Sequence, residues 1–345
     1  MKYLYLFFLS IGFLVASCNG SRDSTTENAN DVDSLAPFDS LKFFNDQVAM
    51  NPNSSDWRYK RALFLLGKGN LPEAKLDMEQ GIRLDSLNFE IRLLYGNLHL
   101  SLTNLDTSRF HYEYIIQRDT MNTGALIGMS KIYALLNNSA TADMYISKAL
   151  RINPNLAEAY FMRGIIYRSD YYETGREESW ERALSSFQTT VEQDPDYYSA
   201  YVEMGVMYDQ KKSDLALDYY NAALDVFPES QEALYNVGMF HQTRGNNEDA
   251  LVAYRTLNKI DSTWADPYYN QGYIHLLNTE DLDSAIYFFT VATQLDPQYY
   301  QAYNNLGLAY ETKGELENAR KNYTKAVEAN PDFKLAKDNL NRLKR

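Results

Sequence analysis

Across residues 300–333 apolar side chains recur every three or four positions. Ala302, Tyr303, Leu306, Leu308 and Tyr310 mark one face of a helix, and Lys313-Gly314 interrupts it. A second helix follows, with Leu316, Ala319, Tyr323, Ala326 and Val327 on its apolar face. Pro331 stops it, because the residue before a proline is driven out of the helical region. Gly307 and Ala319 are small where the two helices must approach, so a leucine at either is expected to overpack the contact by roughly 1–3 kcal/mol. The same two-helix pattern keeps its register upstream. The predicted units are residues 55–88, 89–122, 123–156, 157–197, 198–230, 231–264, 265–299 and 300–333. Their apolar positions run seven residues late in the fourth, one early in the fifth and one late in the seventh.

Both flanks of this array are helical in pattern. Residues 37–54 hold one amphipathic stretch, with Leu41, Phe44 and Val48 on one side and Asn51-Pro52 ending it, and are expected to cap the array. Residues 334–345 hold another, with Leu335, Ala336, Leu340 and Leu343 expected on the packed face and Lys337, Asn341 and Lys344 opposite. The chain is therefore expected to be all-α.

With Tyr300 as position 1 of its unit, Tyr303 falls at 4, Leu306 at 7, Gly307 at 8, Tyr310 at 11, Ala319 at 20, Tyr323 at 24, Ala326 at 27 and Pro331 at 32. At a period of 34 residues this resembles the tetratricopeptide repeat (TPR). The resemblance implies an α-solenoid superhelix of about eight helix–turn–helix repeats, with residues 55–333 as repeats and residues 334–345 as a solvating last helix. It also implies that positions 2, 5, 9 and 12 of the first helices line a concave groove, with position 6 alongside. Position 5 reads Tyr59, Leu93, Ile127, Phe161, Val202, Tyr235, Tyr269 and Asn304, an apolar and aromatic series. Position 6 places Asn236, Asn270 and Asn305 in the last three repeats, and Leu308 stands at position 9. An amide donates and accepts at once, so these three asparagines are expected to offer a ladder to an extended peptide backbone, with Asn304 facing the groove beside them. The lysine-rich carboxylate clamp of chaperone-binding TPR proteins is absent, Lys60 and Lys131 being too isolated to rebuild it. A Tyr-rich groove stacking on a glycan or lipid is the alternative expectation. The insertion in the fourth repeat carries Tyr171, Tyr172 and Trp180 beside Arg176, Glu177 and Glu178, and aromatics amid charge make it a candidate contact.

Composition narrows the partners. A net charge of −13, with scattered lysines and arginines, argues against tracking a nucleic-acid backbone. The one cysteine, Cys18, excludes an internal disulfide and a thiolate metal cluster. Ahead of it Lys2 and an apolar run from Tyr3 to Val15 have the length of a signal segment rather than a membrane span. Leu14-Val15-Ala16-Ser17-Cys18 resembles a bacterial lipobox, which implies removal of residues 1–17 and acylation of Cys18. By the same resemblance Asn19 favours the outer membrane over retention at the inner membrane. Residues 18–36 are too polar to build a core and are expected to be a lipidated, disordered tether.

Catalysis has no evident residues. His99, His241 and His275 all fall at position 11 of a first helix, where other repeats carry Leu65, Tyr133, Tyr167, Tyr208 and Tyr310, so they read as packing substitutions. His111 has no paired nucleophile and no HExxH spacing, and no phosphate loop, nucleophile elbow or dinucleotide glycine motif occurs. No catalytic residue, metal ligand or cofactor site is expected. The reading is of a non-catalytic envelope scaffold that holds a protein or peptide partner, in secretion, outer-membrane assembly or the tethering of wall enzymes.

Overall fold

The computed structural model describes residues 40–279 and 281–343. The expected signal segment, Cys18, the tether and the first residues of the N-terminal cap lie outside them. Among the described residues there are eighteen α-helices and no strand. Helix α1 (Ser40–Met50) precedes eight helix pairs. These are α2 (Ser55–Gly67) and α3 (Leu71–Leu84), α4 (Phe89–Ser101) and α5 (Leu105–Ile116), α6 (Thr123–Leu135) and α7 (Ser139–Ile152), and α8 (Ala157–Thr174) and α9 (Glu177–Gln193). Then come α10 (Tyr198–Gln210) and α11 (Leu215–Val226), α12 (Gln231–Thr243) and α13 (Asn247–Ile260), α14 (Ala265–Ile274) and α15 (Leu282–Leu295), and α16 (Tyr300–Thr312) and α17 (Leu316–Ala329). Helix α18 (Lys334–Arg342) follows. The fold is all-α, of the α-solenoid class. The chain divides into two compact units, one ending at Ser186 and one beginning at Phe187. None of the described helices is long and apolar enough to cross a membrane.

Local chemistry sets the helix limits. Asn70, Asn88, Asn104, Asn122 and Asn138 each accept from the backbone N–H three residues on, satisfying one donor that a helix start leaves unpaired. The turn inside a repeat passes through the left-handed region at Gly69, Gly175, Gly245 and Gly314. Thr103, Asn137 and Lys212 take the same conformation without being glycine, with φ of 56°, 53° and 56°.

Packing within a repeat follows one rule in five of the repeats, while Ala62 and Ser130 stand at position 8 of the first and third. The position-8 glycine lets the ring at position 24 press on the first helix: a Cβ on Gly96 would lie 2.7 Å from the Tyr112 ring, and one on Gly307 2.7 Å from that of Tyr323. Gly205, Gly238 and Gly272 face Tyr220, Tyr254 and Phe289 in the same way. Each ring is buried, and the phenols of Tyr112, Tyr254 and Tyr323 donate back to Asn97, Gln242 and Glu311 on the first helix.

The register shifts have physical forms. In the seventh repeat the first helix ends in a π-helical turn, His275–Thr279, which absorbs the extra residue. In the fourth, α8 runs for 18 residues where α2, α4, α6, α10, α12 and α16 run for 13, and α9 is lengthened to 17. The insertion is thus a taller helical hairpin closed at Gly175.

The flanking helices pack as partial repeats. Phe43 and Phe44 of α1 meet Trp57 and Phe64 of α2 edge-on and tilted, and Val48 is buried. On α18 the packed face differs from expectation. Leu335 is 53 % exposed, while Ala336 and Asn339 are buried, because α18 lies on α17 in the register of a first helix and position 2 of such a helix points outward.

Candidate functional site

In the unit from Phe187 onward, successive first helices are tied together by side chains at positions 5 and 6. Asn270 on α14 donates to the Tyr235 hydroxyl on α12 at 3.4 Å, and Asn305 on α16 donates to the Tyr269 hydroxyl on α14 at 3.1 Å. Asn339 on α18 repeats the step, donating to Asn304 at 3.0 Å, and Asn304 donates in turn to Asn305 at 3.2 Å. The asparagines expected to present a ladder to a partner are therefore spent largely on stacking the repeats. Asn304 is 1 % exposed and Asn270 6 %, whereas Asn236 and Asn305 are half-buried. A position-6 amide can reach the preceding repeat's position-5 side chain because neighbouring first helices pack side by side. That reach is invisible when one repeat is read alone.

What stays partly open on these helices is aromatic. Tyr235 packs on Trp264 with ring centroids 5.1 Å apart, and Tyr269 stacks on Tyr299 at 4.9 Å and tilts against Tyr273 at 6.4 Å. All five rings are half-buried, and Leu308 lies beside Tyr273 in the same apolar cluster. Asp266 sits between the two pairs of rings. Its carboxylate accepts from Trp264 Nε1 at 3.0 Å and from the Tyr299 hydroxyl at 2.7 Å. Burial, and then the hydrogen bond to Asp266, push the Tyr299 phenol far up, so it stays a donor. Burial likewise raises Tyr235 and Tyr269. Trp264 and Tyr299 lie outside the groove positions, whereas Asp266 falls at one of them, position 2, without standing out there. Trp264 and Tyr299 each stand just ahead of a first helix, and Asp266 occupies position 2, so the residues bracketing each helix start carry the signal.

Charge on these helices is one-sided. Residues 198–210, 231–243, 265–279 and 300–312 contain no lysine or arginine, and contain Glu203, Asp209, Glu232, Asp266 and Glu311. Asp209 pairs with Arg244 and Glu311 with Arg342. Among the described residues Glu232 and Asp266 have no ion pair, and Glu232 accepts only from Tyr198, at 3.3 Å.

The unit ending at Ser186 is built otherwise. Its first helices carry Arg58, Lys60, Arg61, Arg92, Lys131, Arg163 and Arg168. Lys131 pairs with Glu158 at 2.8 Å, Arg163 with Asp143 at 2.8 Å, and Arg61 with the buried Asp77 at 2.6 Å. Tyr59 is half-buried, its phenol raised by burial and by Glu90, and Phe161 packs half-buried beside Met162 and Ile166. In the tall hairpin Asp170 accepts from Arg176 and Ser179, fixing the turn. Tyr172 is 47 % exposed, and Tyr171 and Trp180 are half-buried.

The histidines stand where packing puts them. Tyr95 meets His99 and His111 edge-on at 4.5 and 4.9 Å, His241 reaches Asp249 at 3.8 Å, and His275 stacks on Phe288. Burial, with Arg92 nearby, pushes His111 down to about 4. Among the described residues no three His, Cys, Asp or Glu side chains converge as a metal site would require.

Helical hairpins with this spacing, most with a small residue at position 8 against a large one at position 24, are the pattern of the tetratricopeptide repeat. Two tetratricopeptide-repeat family models match this chain, one at residues 124–156 and 300–333 and one at residues 207–262. The chain is similar to the BBSome complex member BBS4 of Bos taurus, 24 % identical over 295 residues covering 84 % of this chain and 54 % of that protein. It is similar also to human tetratricopeptide repeat protein 6, 28 % identical over 198 residues covering 57 % and 37 %. The chain thus spans about half the length of the first relative and about a third of the second. Among solved structures it resembles the APC/C hetero-tetramer Cut9–Hcn1, with a TM-score of 0.53 and 16 % identity, covering 89 % of this chain and 60 % of that one, a likeness of fold.

Proposed function

We propose that this protein is a non-catalytic scaffold whose first helices hold a segment of a partner protein, and that an acylated Cys18 tethers it to a bacterial envelope membrane, in the outer membrane by the Asn19 rule. The observation that carries the binding role is the row of half-buried rings, Tyr235, Tyr269 and Tyr273 on adjacent first helices with Trp264 and Tyr299 at the starts of the next ones. Rigid aromatic side chains that are neither fully packed nor fully solvated are the type that anchors protein interfaces. The similarity to BBS4, a member of the BBSome complex, supports the scaffold reading.

The test is site-specific photo-crosslinking in intact cells. A crosslinker at Tyr273 or Asn236 should capture a defined protein, one at Asp218 or Lys321 on second helices should not, and capture should fall when Tyr269 becomes alanine. Equal capture from both sets of positions overturns the groove. Recovery of glycan or lipid in place of protein would favour a receptor. The anchor is tested separately: labelling with a palmitate analogue should vanish in Cys18→Ala, and unchanged labelling removes it.

A further inference from the structure

We infer that the first-helix face of the unit from Phe187 onward takes an extended, cationic segment of its partner, with a lysine or arginine side chain seated at Asp266 among Trp264, Tyr269 and Tyr299. This rests on the groove reading above and names the partner's chemistry. Residues 187–345 carry 14 Lys and Arg against 24 Asp and Glu, whereas residues 40–186 carry 17 of each. Most of the chain's excess of negative charge belongs to the second unit. Within that unit the lysines and arginines are confined to the turns, the second helices and the segment after Pro331. None stands on the first helices to neutralise Asp266 or Glu232.

At Asp266 the geometry suits a cation. Two of the roughly four acceptor positions of a carboxylate are used, by Trp264 and Tyr299, which fix it between rings. An ammonium or guanidinium placed there meets the remaining carboxylate lone pairs and the negative faces of aromatic rings together. A phosphate backbone or an acidic peptide would meet unscreened repulsion along the same face.

The test uses the full chain and three labelled peptides of equal length, alternating serine with lysine, with glutamate or with glycine, followed by fluorescence anisotropy. The lysine peptide should bind, and binding should weaken between 50 and 300 mM salt, since the Debye length falls from about 10 Å at 0.1 M to about 3 Å at 1 M. Asp266→Asn and Glu232→Gln should each weaken it about fivefold, the effect of losing one partly exposed ion pair. Glu232 is exposed, so its variant keeps the test sound even if Asp266→Asn disturbs the ring frame. Asp218→Asn and Asp225→Asn, exposed on the second helix α11, should leave binding unchanged. Equal weakening by all four variants means diffuse charge attraction and overturns the assignment. Binding of the glycine or glutamate peptide as tightly as the lysine peptide overturns the cationic preference while leaving the groove. Binding of no peptide, together with failed crosslinking from Tyr273, removes both.

Discussion

Replacing Gly238 by alanine adds one methyl group where α12 and α13 touch, and a reversal of its effect by a second change would establish the contact. A Cβ at that position lies 2.5 Å from Cε1 of Tyr254 and 2.9 Å from its Cζ, well inside van der Waals contact. The ring is fully buried among Leu234, Leu251, Leu257 and Ile274, and its hydroxyl is tied to Gln242 at 2.7 Å, so it has no room to tilt away. Overpacking of this kind costs roughly 1–3 kcal/mol, while the better helix propensity of alanine returns up to about 1 kcal/mol. Tyr254→Leu alone leaves a cavity and loses the hydrogen bond, at a cost of about 2–4 kcal/mol. In that background the added methyl has space, and Gly238→Ala should turn from destabilising to stabilising. The coupling between the two sites should therefore be about 1–3 kcal/mol in favour of the double variant.

Because repeats open locally, the readout is hydrogen exchange of the α12 and α13 amides alongside urea unfolding. Two other glycines separate this mechanism from backbone effects. Gly245 has φ of +77° with no atom within 4 Å of its Cβ position, so alanine should cost about 1–2 kcal/mol there, and Tyr254→Leu should not rescue it. Gly67 has neither feature and closes α2, so alanine should stabilise by up to about 1 kcal/mol. Additivity of Gly238→Ala and Tyr254→Leu within about 0.5 kcal/mol would refute the close-contact reasoning.

Thr103→Gly should stabilise the first unit by about 1 kcal/mol and Asn137→Gly by less, since a β-branched residue tolerates the left-handed region worst and asparagine best; thermal denaturation ranks them. His111, held down to about 4 by burial and Arg92, favours the folded state fully above its unfolded value near 6.5, and that contribution is lost as pH falls toward 4; urea midpoints should drop over this window and flatten in His111→Phe. Burial opposes ionisation of Glu311, but hydrogen bonds from Arg342 and Tyr323 outweigh it and hold the carboxyl below its ordinary value, so the α18 contact should persist through the ordinary carboxylate range and loosen only as pH falls below it, as exchange of the α18 amides would report. Asn339→Leu should expose the end of the array more than Leu335→Ala, because Asn339 is the buried partner of Asn304 and Leu335 faces water.

The repeat register was legible in the sequence because glycine at position 8 and the ring at position 24 answer a single steric demand, and each recurs within one repeat. Contacts inside a repeat repeat with it. The π-helical turn at His275–Thr279 was legible only as a one-residue delay, since an apolar count records an extra residue but not where the helix hides it. Asn304 misled for a different reason. Its position number matches Tyr235 and Tyr269, yet its amide is buried by Asn339, a residue 35 positions on in α18. A side chain's availability depends on the next repeat, and sequence read one repeat at a time omits it. The same omission hid the role of Asp266, a groove position whose second donor, Tyr299, belongs to the following helix start.

Neighbouring first helices can be joined by ion pairs or by neutral hydrogen bonds, and the choice determines which charges remain for a partner. In the first unit Lys131 and Arg163 are committed to Glu158 and Asp143 across repeat boundaries, and Arg61 to Asp77 within its own repeat, so cations on the first helices are cancelled by carboxylates. In the second unit Asn270, Asn305 and Asn339 join first helices with uncharged donors and acceptors, and the ion pairs between successive repeats, Arg244 with Asp209 and Arg342 with Glu311, leave Glu232 and Asp266 aside. Neutral bonds hold register without consuming a carboxylate, and they require no lysine or arginine on the face. Glu232 and Asp266 are left unneutralised as a direct result. Replacing Asn270 by lysine would test this connection. A lysine there can reach Asp266, so affinity for a lysine-containing peptide should fall further than in Asn270→Met, an uncharged change of similar length that burdens the same buried position. Equal loss of affinity in the two variants would mean that the amide serves the fold alone and that the charge of the face is incidental to binding.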